Sequence, residues 1–535
     1  MIKNFIQANI KSFFILILFI ILFLPSIIGL LNIKDLPIID TCNNLSIFSI
    51  NNYMLESKEV SIFPETQNIS CLGKLTNDNQ ILKSQKFFIL LKLFNYLILS
   101  LLFKKSSTRE FLLLSVISVL ISLRYNPDIS YWYLLKEYLI IITCLGLFKN
   151  INLISKLDNL SKYLFMLFSF SLLGSLALHG WTSVWKYLGV PTLQPIFLDL
   201  NIIATSTESY LLGFDPYVYN PADIKGRLFM YPKIWLDIGE LFQLTTQTMY
   251  YAFAIGMISM FSLIVYFLII KENSFIILLL FFSFSSLLAI ERGQNDLLIF
   301  SLIFIGISIK KPFLKYLILF LSTVLKIYPI FAFSRYLKAN YRSFFQISLV
   351  IAYLIFIYDQ LIAISNNAKT DYWISFGLSS FYEVFRNIIV DNYYVFVLFV
   401  IFVSIIYFYI TKKHFNDFSF LSYIKIDQPS DSLFLASISI YVGIYLIASS
   451  YDYRLIFLIL CIPYLLKNKN ILNNFVILFI IFSSNADIFI YYFGYYGAIL
   501  TNLIKFILFI IFSTTLYKYI FNILIKSRVQ RVQDL

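Results

Sequence analysis

One stretch of the chain, residues 180–247, combines carboxylates, aromatic residues and prolines between two apolar segments. Its acids are Asp199, Glu208, Asp215 and Asp223. A membrane protein needs only a few residues to turn between helices, so a long polar connection of this composition indicates a site. A carboxylate can accept the proton of a reacting hydroxyl. Asp199 lies among Phe197, Leu198 and Leu200, and such apolar surroundings make a carboxylate a stronger base.

Three shorter groups of ionisable residues could act together with these acids. They are the turn Glu291–Asp296, Lys326 inside an otherwise apolar run, and the turn Tyr451–Arg454. Charged side chains at the depth of a bilayer are costly, and their default interpretation is functional. Lysine and arginine can stabilise a departing phosphate.

Structural explanations compete with the functional ones at each of these positions. Polar residues occur in turns simply because water is there, and Lys326 could snorkel to the membrane interface. Asp199 could cap a short interfacial helix.

The composition identifies the environment of the chain. Of its 535 residues 59% are hydrophobic and 13% are charged, and the mean hydropathy is +0.80. A soluble domain cannot bury so much apolar surface, whereas a bilayer can. The net charge of +13 is attributed to lysine and arginine at cytoplasmic helix ends, and no nucleic-acid partner is expected.

Apolar runs and the placement of lysine and arginine predict an all-α bundle of about 14 transmembrane spans plus one broken or re-entrant hairpin near Lys326. The first span, Phe13–Leu31, is interpreted as retained, and both termini as cytoplasmic. Residues 1–162 form N-terminal helices, 163–342 a core that carries the 180–247 loop, and 343–535 C-terminal helices. The protein is expected in the inner membrane of a bacterium, with its site on the periplasmic or extracellular face.

The four cysteines indicate little chemistry. Cys144 and Cys461 lie in apolar segments and are expected in the core. Cys42 and Cys71 share one predicted exterior loop, and whether they form a disulfide is left open.

Several other chemistries lack support in the sequence. The two histidines, His179 and His414, are predicted on opposite sides of the membrane, which disfavours a histidine-based metal site. No Walker A loop or GxSxG elbow occurs, so neither ATP hydrolysis nor serine-hydrolase chemistry is indicated.

The order of motifs resembles that of a known superfamily, over about Leu164–Arg342. The motifs are Asp199, Glu208-Ser209-Tyr210, Gly213, Asp215-Pro216-Tyr217, Tyr231-Pro232, Gly293-Gln294-Asn295-Asp296 and Lys326-Ile327-Tyr328-Pro329. Together they are similar to the GT-C glycosyltransferases, most of all to family 87 and the polyprenyl-phosphate-mannose-dependent mannosyltransferases. Four predicted spans precede the large loop here, whereas in many relatives it follows the first span, so the subfamily and the sugar stay open.

The resemblance implies a GT-C-like fold and transfer of a mannose-like hexose with inversion. The donor is a polyprenyl-phosphate sugar among the membrane lipids, and the acceptor is a hydroxyl of a glycan or of a lipid-linked molecule. Asp199 would be the catalytic base, and Lys326, with Arg292 or Arg454, would hold the phosphate. The resemblance implies no cofactor, although the loop acids could bind a divalent metal. The resemblance implies further donor-binding positions at Glu208, Asp215, Tyr217, Tyr231, Gln294, Asn295 and Tyr328.

Two other functions remain compatible with many spans and an exterior loop. A lipid-linked oligosaccharide flippase or another transporter predicts charged residues along a central cavity and often repeated halves, and neither is evident in the sequence. An O-antigen polymerase or ligase usually has its largest loop later in the chain, with arginine and histidine as key groups. Here the large loop comes early and is rich in acids.

The predicted topology can be tested with single cysteines and a membrane-impermeant thiol reagent in intact cells. Cysteines placed in the 180–247 segment, the Glu291–Asp296 turn and the Tyr451–Arg454 turn should be labelled, because all three are expected on the non-cytoplasmic face. Cysteines replacing Lys412 or Lys467 should be protected. The opposite pattern would invert the topology and remove an exterior donor from consideration.

Overall fold

The structure is a computed structural model that describes residues 152–336, 374–385, 429–447, 450–467 and 471–533, with single positions between 136 and 147 and between 352 and 362. The expected first span, the Cys42–Cys71 loop and the spans expected near Phe344 and Tyr393 lie outside the described residues. The chain forms two compact units. The larger comprises Asp158–Ser171, Thr192–Asn485 and Thr501–Leu535, and the smaller comprises Met1–Leu157, Leu172–Pro191 and Ala486–Leu500. The division at residues 162 and 342 stays a prediction.

Helices dominate the described residues, as the composition predicts. In chain order they are α1 Asn152–His179, α2 Trp181–Tyr187, α3 Leu198–Leu211, α4 Ile234–Leu241, α5 Gln247–Glu272, α6 Phe275–Phe281, α7 Phe284–Arg292, α8 Asp296–Ser308, α9 Pro312–Leu325, α10 Leu378–Phe385, α11 Pro429–Ile447, α12 Ile462–Lys467, α13 Ile471–Ser484 and α14 Ala486–Gln533, with 3-10 helices at Tyr328–Tyr336 and Asp452–Cys461.

Four helical stretches in the described part are long and apolar enough to cross a membrane: Leu157–His179, Gln247–Glu272, Ser430–Ile447 and Gly497–Ile520. The pair α6 and α7 is bent by 44° at a short break and would add a fifth if it is one span. Leu157–His179 leaves much of its apolar surface uncovered, for example at Phe170 and Leu178. Such a surface suits lipid contact. This part of the chain is therefore that of a helical membrane protein.

The 180–247 segment, interpreted from the sequence as one loop, contains three short helices joined by turns and irregular connections. It contains α2, α3 and α4. Helix α3 buries Leu198, Leu200, Ile202 and Ile203, and it ends before Gly213, whose φ of 88° suits a residue without a Cβ. Asn, Thr, Ser and Glu residues are interleaved with apolar ones in these helices, above all in α3. The composition of the segment therefore resembles that of a polar loop.

A small residue allows α4 to pack closely on α3. A Cβ added at Gly239 would lie 2.1 Å from Oγ1 of Thr207. The Thr207 hydroxyl donates to the carbonyl of Ile203 at 2.8 Å, so it cannot rotate away without losing that bond. Helix α4 is also tied to the end of α9, because Trp235 Nε1 donates to the Leu325 carbonyl at 2.7 Å.

The predicted break at Lys326 is confirmed. Helix α9 ends at Leu325, Lys326 is extended with φ −155° and ψ 135°, and a 3-10 helix begins at Tyr328. Pro329 lacks an N–H and disfavours helical backbone in the residue before it, which explains why the α-helix does not continue. The later part of the proposed hairpin lies outside the described residues, so the sidedness of its two arms stays a prediction.

The Tyr451–Arg454 region differs from the simple turn that was predicted. Strand β1, Ser375–Phe376, pairs antiparallel with strand β2, Ser450–Tyr451, with Ser375 opposite Tyr451. The chain then enters the 3-10 helix Asp452–Cys461, although the apolar run from Leu455 predicts an α-helical span. Cys461 is buried, as predicted for a core residue.

The smaller unit contains a buried ion pair. Lys136 Nζ lies 2.7 Å from Asp487 Oδ2, with 3% and 0% of the two side chains exposed.

Replacing Gly239 by alanine should destabilise the protein through the contact with Thr207. Overpacking of this kind costs about 1–3 kcal/mol, so thermal unfolding in detergent should show a lower midpoint. Gly256→Ala is the matched control, since Gly256 is also helical and a Cβ there would meet nothing within 4 Å. The close packing would be contradicted if both variants unfolded at the same temperature.

Candidate functional site

Asp199 lies in the first turn of α3, but it does not cap the helix. The N-cap residue is Phe197, in the left-handed conformation with φ 58°, and no side chain caps this end. Tyr250 holds the Phe197 carbonyl with a hydrogen bond of 2.6 Å. The Asp199 carboxylate instead accepts a hydrogen bond from Gln294 Nε2. The capping alternative is therefore wrong.

Gly293 brings the amide of Gln294 to Asp199. It ends α7 with φ 60°, and a Cβ added there would lie 2.6 Å from Cβ of Phe197. Both the left-handed backbone and the contact with Phe197 require a residue without a side chain. The start of α3 can consequently approach the turn between α7 and α8 closely.

Next to this turn lies an ionic cluster that consists of Asp296, Lys326, Tyr328 and Arg454. Lys326 forms an ion pair with Asp296, and Tyr328 donates its hydroxyl to the same carboxylate. Arg454 Nε lies 3.8 Å from Asp296 Oδ1, and its guanidinium carbon lies 5.1 Å from the centroid of the Tyr328 ring. Lys326 also donates to Asn295 Oδ1 at 2.5 Å.

Lys326 does not snorkel. Only 5% of the residue is exposed, and its ammonium group binds inside the protein. A buried lysine is tolerated where a carboxylate and further hydrogen bonds compensate its charge. The charge at this break is therefore part of an internal arrangement.

Tyr231, a residue of the 180–247 segment, packs its ring against the ionic cluster. Lys326 Nζ lies 5.3 Å from the centroid of the Tyr231 ring, and the Tyr231 carbonyl accepts the Tyr217 hydroxyl at 2.7 Å. Burial, and then the negative charges of Asp199 and Asp296, raise the pKa of Tyr231. Its phenol thus stays protonated and can donate a hydrogen bond.

Four buried polar atoms around this region have no hydrogen-bond partner among the described residues: Arg292 Nη1, Gln294 Oε1, Asn295 Nδ2 and Arg454 Nε. Each unmade hydrogen bond of a buried polar group costs about 1–3 kcal/mol. Native proteins satisfy nearly all such groups with protein, water or a ligand. Arg454 Nε faces Asp296 Oδ1 at 3.8 Å, and the other two donors and the acceptor match a ligand that combines an anion with hydroxyl groups.

Arg227 supports the start of α3 and was not singled out from the sequence. It pairs with Asp223 at 2.7 Å, and its guanidinium donates to the Leu198 carbonyl at 3.1 Å and to Asn201 Oδ1 at 3.4 Å. It therefore contacts residues on both sides of Asp199. No spacing rule could have revealed this, because the bond to Leu198 spans 29 residues.

Three cations, Lys225, Arg227 and Arg292, interact electrostatically, and Arg227 and Arg292 are paired with Asp223 and Glu291. The pKa of Lys225 is lowered, first by burial and then by the cations Arg227 and Arg292, while Asp223 opposes the shift.

The structure brings together most of the predicted site residues: Asp199, Tyr231, Gln294, Asn295, Lys326, Tyr328 and Arg454. Arg292 lies just before Gly293, its Nε 3.3 Å from the Glu291 carboxylate. Asp296 also belongs to this group, although the sequence indicates it only as part of the Glu291–Asp296 turn and not as a site residue.

Glu208 and Asp215 lie elsewhere. Glu208 is exposed and nine residues along α3 from Asp199, about 13 Å away at the rise of an α-helix. Asp215 is exposed and accepts the backbone N–H of Tyr217 at 3.0 Å, a local turn interaction. Among the described residues no group of three or more His, Cys, Asp or Glu is arranged to hold a metal ion.

No family model, curated protein or solved structure matches the chain. Its function therefore has to be inferred from the chemistry of the site.

The ion pair of Lys326 and Asp296 should show strong energetic coupling. Lys326→Met or Asp296→Asn alone should lower the free energy of unfolding by about 3–5 kcal/mol, because each removes one partner of a buried ion pair. The double variant should lose less than the sum of the two. Unfolding in detergent measures this, with Glu208→Gln as an exposed control expected within about 0.5 kcal/mol of the original protein. Additive losses would show that the two groups do not compensate each other.

Proposed function

We propose that the chain is an integral-membrane hexosyltransferase of the GT-C type. It transfers a mannose-like hexose from a polyprenyl-phosphate donor to an acceptor hydroxyl, on the non-cytoplasmic face of a bacterial inner membrane. The bundle of about 14 spans belongs to this proposal. The supporting observation is a half-buried carboxylate, Asp199, beside a mostly buried ionic cluster, with neighbouring donors and an acceptor that have no hydrogen-bond partner in the described part of the chain.

Asp199 is the catalytic base of the proposed reaction. Gln294 binds Oδ2 of the carboxylate, and no further hydrogen bond to it occurs among the described residues, so Oδ1 is available to an acceptor hydroxyl. As Asp199 takes the hydroxyl proton, the acceptor oxygen forms a bond to the anomeric carbon. The bond from that carbon to the donor phosphate oxygen breaks, and the phosphate departs with the electron pair. Attack opposite the leaving group inverts the anomeric centre.

The ionic cluster stabilises the departing phosphate. Lys326 and Arg454 supply two positive charges and Asp296 one negative charge, so the cluster retains one net positive charge when all three are ionised. A fixed cation in a water-poor site is worth more to a developing anion than the same cation in water. Arg454 is assigned to the phosphate because it shares Asp296 with Lys326.

The unpartnered polar atoms are assigned to the remaining donor contacts. Arg292 Nη1 and Asn295 Nδ2 can donate to phosphate or sugar oxygens, and Gln294 Oε1 can accept a sugar hydroxyl. Tyr217 uses its hydroxyl on the Tyr231 carbonyl, so it acts by fixing Tyr231.

Two other buried ion pairs bear on the transporter alternative. Lys136–Asp487 and Lys505–Asp452 are each within 2.7 Å and almost wholly inaccessible to solvent. Charges along a transport pathway would have to meet water or substrate. Neither pair meets water, so neither supplies the solvated charges that the transporter alternative requires.

Asp199→Asn tests the proposed base. Turnover should fall by roughly 10²–10⁴-fold, because asparagine cannot take a proton, while donor binding persists. The measurement is hexose transfer from a defined polyprenyl-phosphate hexose by the purified protein, together with binding of polyprenyl phosphate.

Asp215→Asn is the matched control and should keep near-normal turnover, since that carboxylate is exposed and only supports a local turn. Turnover of Asp199→Asn within a few-fold of the original enzyme would refute the assignment of the base. Absence of any hexose transfer by the unaltered protein across a panel of lipid-phosphate donors would refute the proposed reaction.

A further inference from the structure

Arg454 reaches the ionic cluster from a short, tightly bonded segment. Strand β2 precedes it, and Asp452 begins the 3-10 helix to which it belongs. Its Nη1 donates to Ser450 Oγ, and the rings of Tyr451 and Tyr453 stack with centroids 5.7 Å apart. The position of the guanidinium thus depends on how residues 450–453 are held.

Lys505 of α14 binds Asp452, the residue at which the 3-10 helix begins. Its ammonium group donates to both oxygens of Asp452, at 2.7 and 2.8 Å, and to the Ser375 carbonyl of β1 at 3.2 Å. Neither Lys505 nor Asp452 has any exposed side-chain surface. The three ammonium protons are therefore all used, and they join α14 to β1 and to the start of the 3-10 helix.

The position of Lys505 along α14 is itself fixed. The Tyr441 hydroxyl of α11 donates to the Lys505 carbonyl at 2.7 Å, and Tyr441 stacks on Phe376 of β1 with ring centroids 5.4 Å apart. The lysine, the strand and the aromatic residues consequently support one another.

We propose that Lys505 and Asp452 are positioning residues that hold Arg454 against Asp296, so that its guanidinium is presented to the donor phosphate. A fully buried ion pair contributes little net stability compared with apolar residues of similar size. What this pair adds is a fixed location for the start of the 3-10 helix, two residues before Arg454. The part that concerns the phosphate rests on the proposed function, whereas the part that concerns the contact with Asp296 does not.

A double-mutant cycle separates positioning from general stability. Lys505→Met leaves Asp452 without its cation, so the start of the 3-10 helix should shift and Arg454 should leave Asp296. The KM for the donor should then rise by about ten- to a hundredfold, the loss of one charge-assisted hydrogen bond. In an Arg454→Gln background, Lys505→Met should not raise the donor KM any further, because Lys505 acts through Arg454. An equal factor in both backgrounds would overturn the proposal.

Two further variants complete the experiment. Asp452→Asn combined with Lys505→Gln gives a neutral pair that can still hydrogen-bond, and it should recover most of the affinity for the donor. It also serves as the reference if Lys505→Met does not fold, and failure to recover donor affinity in a folded neutral pair would count against positioning. Lys136→Met breaks the buried lysine–aspartate pair of the smaller unit, and it should reduce stability without raising the donor KM. A comparable rise of KM in Lys136→Met would make the effect of Lys505 merely structural.

A second readout does not depend on the reaction. The double variant Lys505→Met, Arg454→Gln should lose less thermal stability than the sum of the two single losses. The reason is that Lys505→Met alone already releases Arg454 from Asp296. If the unaltered protein transferred no sugar, non-additive losses would still support the positioning, whereas additive losses would refute it. Failure of the proposed function and failure of this inference are thereby distinguishable.

Discussion

The cost of burying charge among apolar helices constrains the whole site. Lys326 occupies a break between α9 and a 3-10 helix, and its ammonium group is compensated by Asp296 at the start of α8. Neither residue could be buried without the other, because an unpaired ion in this setting costs several kcal/mol. The ion pair therefore determines how the end of α9 meets the start of α8. Tyr328 and Arg454 are positioned by their interactions with Asp296, and Asn295 accepts a further hydrogen bond from Lys326.

Asp199, the proposed base, is positioned by a different principle, close backbone approach. Gly293 allows the turn after α7 to touch Phe197, and Arg227 and Tyr250 hold the carbonyls of Leu198 and Phe197. Because Phe197 has a left-handed backbone, the chain stores some strain where Asp199 is presented, as is common at functional sites. The amide of Gln294 then fixes the carboxylate.

The sequence predicts some of these features because their cause is local. The break at Lys326 follows from Pro329 and a charge in an apolar run, and the turn at Gly293 follows from glycine between two apolar segments. The helices within residues 180–247 were missed, because buried Ser206, Thr207 and Ser209 have polar side chains. Arg227 and Lys505 were also missed, because their partners lie 29 and 53 residues away and no periodicity links them. Pairings at such distances are set by the fold.

The charge of the ionic cluster matches the direction of the proposed reaction. A sugar–phosphate diester carries one negative charge, and the phosphate monoester that leaves carries up to two at neutral pH. A cluster with one net positive charge therefore interacts more strongly with the departing phosphate than with the bound donor. Such differential interaction lowers the barrier, whereas equal binding of both states would not. Asp296 contributes by limiting the excess charge, since two uncompensated cations would hold the ground-state diester, and afterwards the product, more tightly. In the proposed reaction, Asp296 therefore has two effects. It compensates the buried charge of Lys326, and it limits how strongly the cluster binds the phosphate.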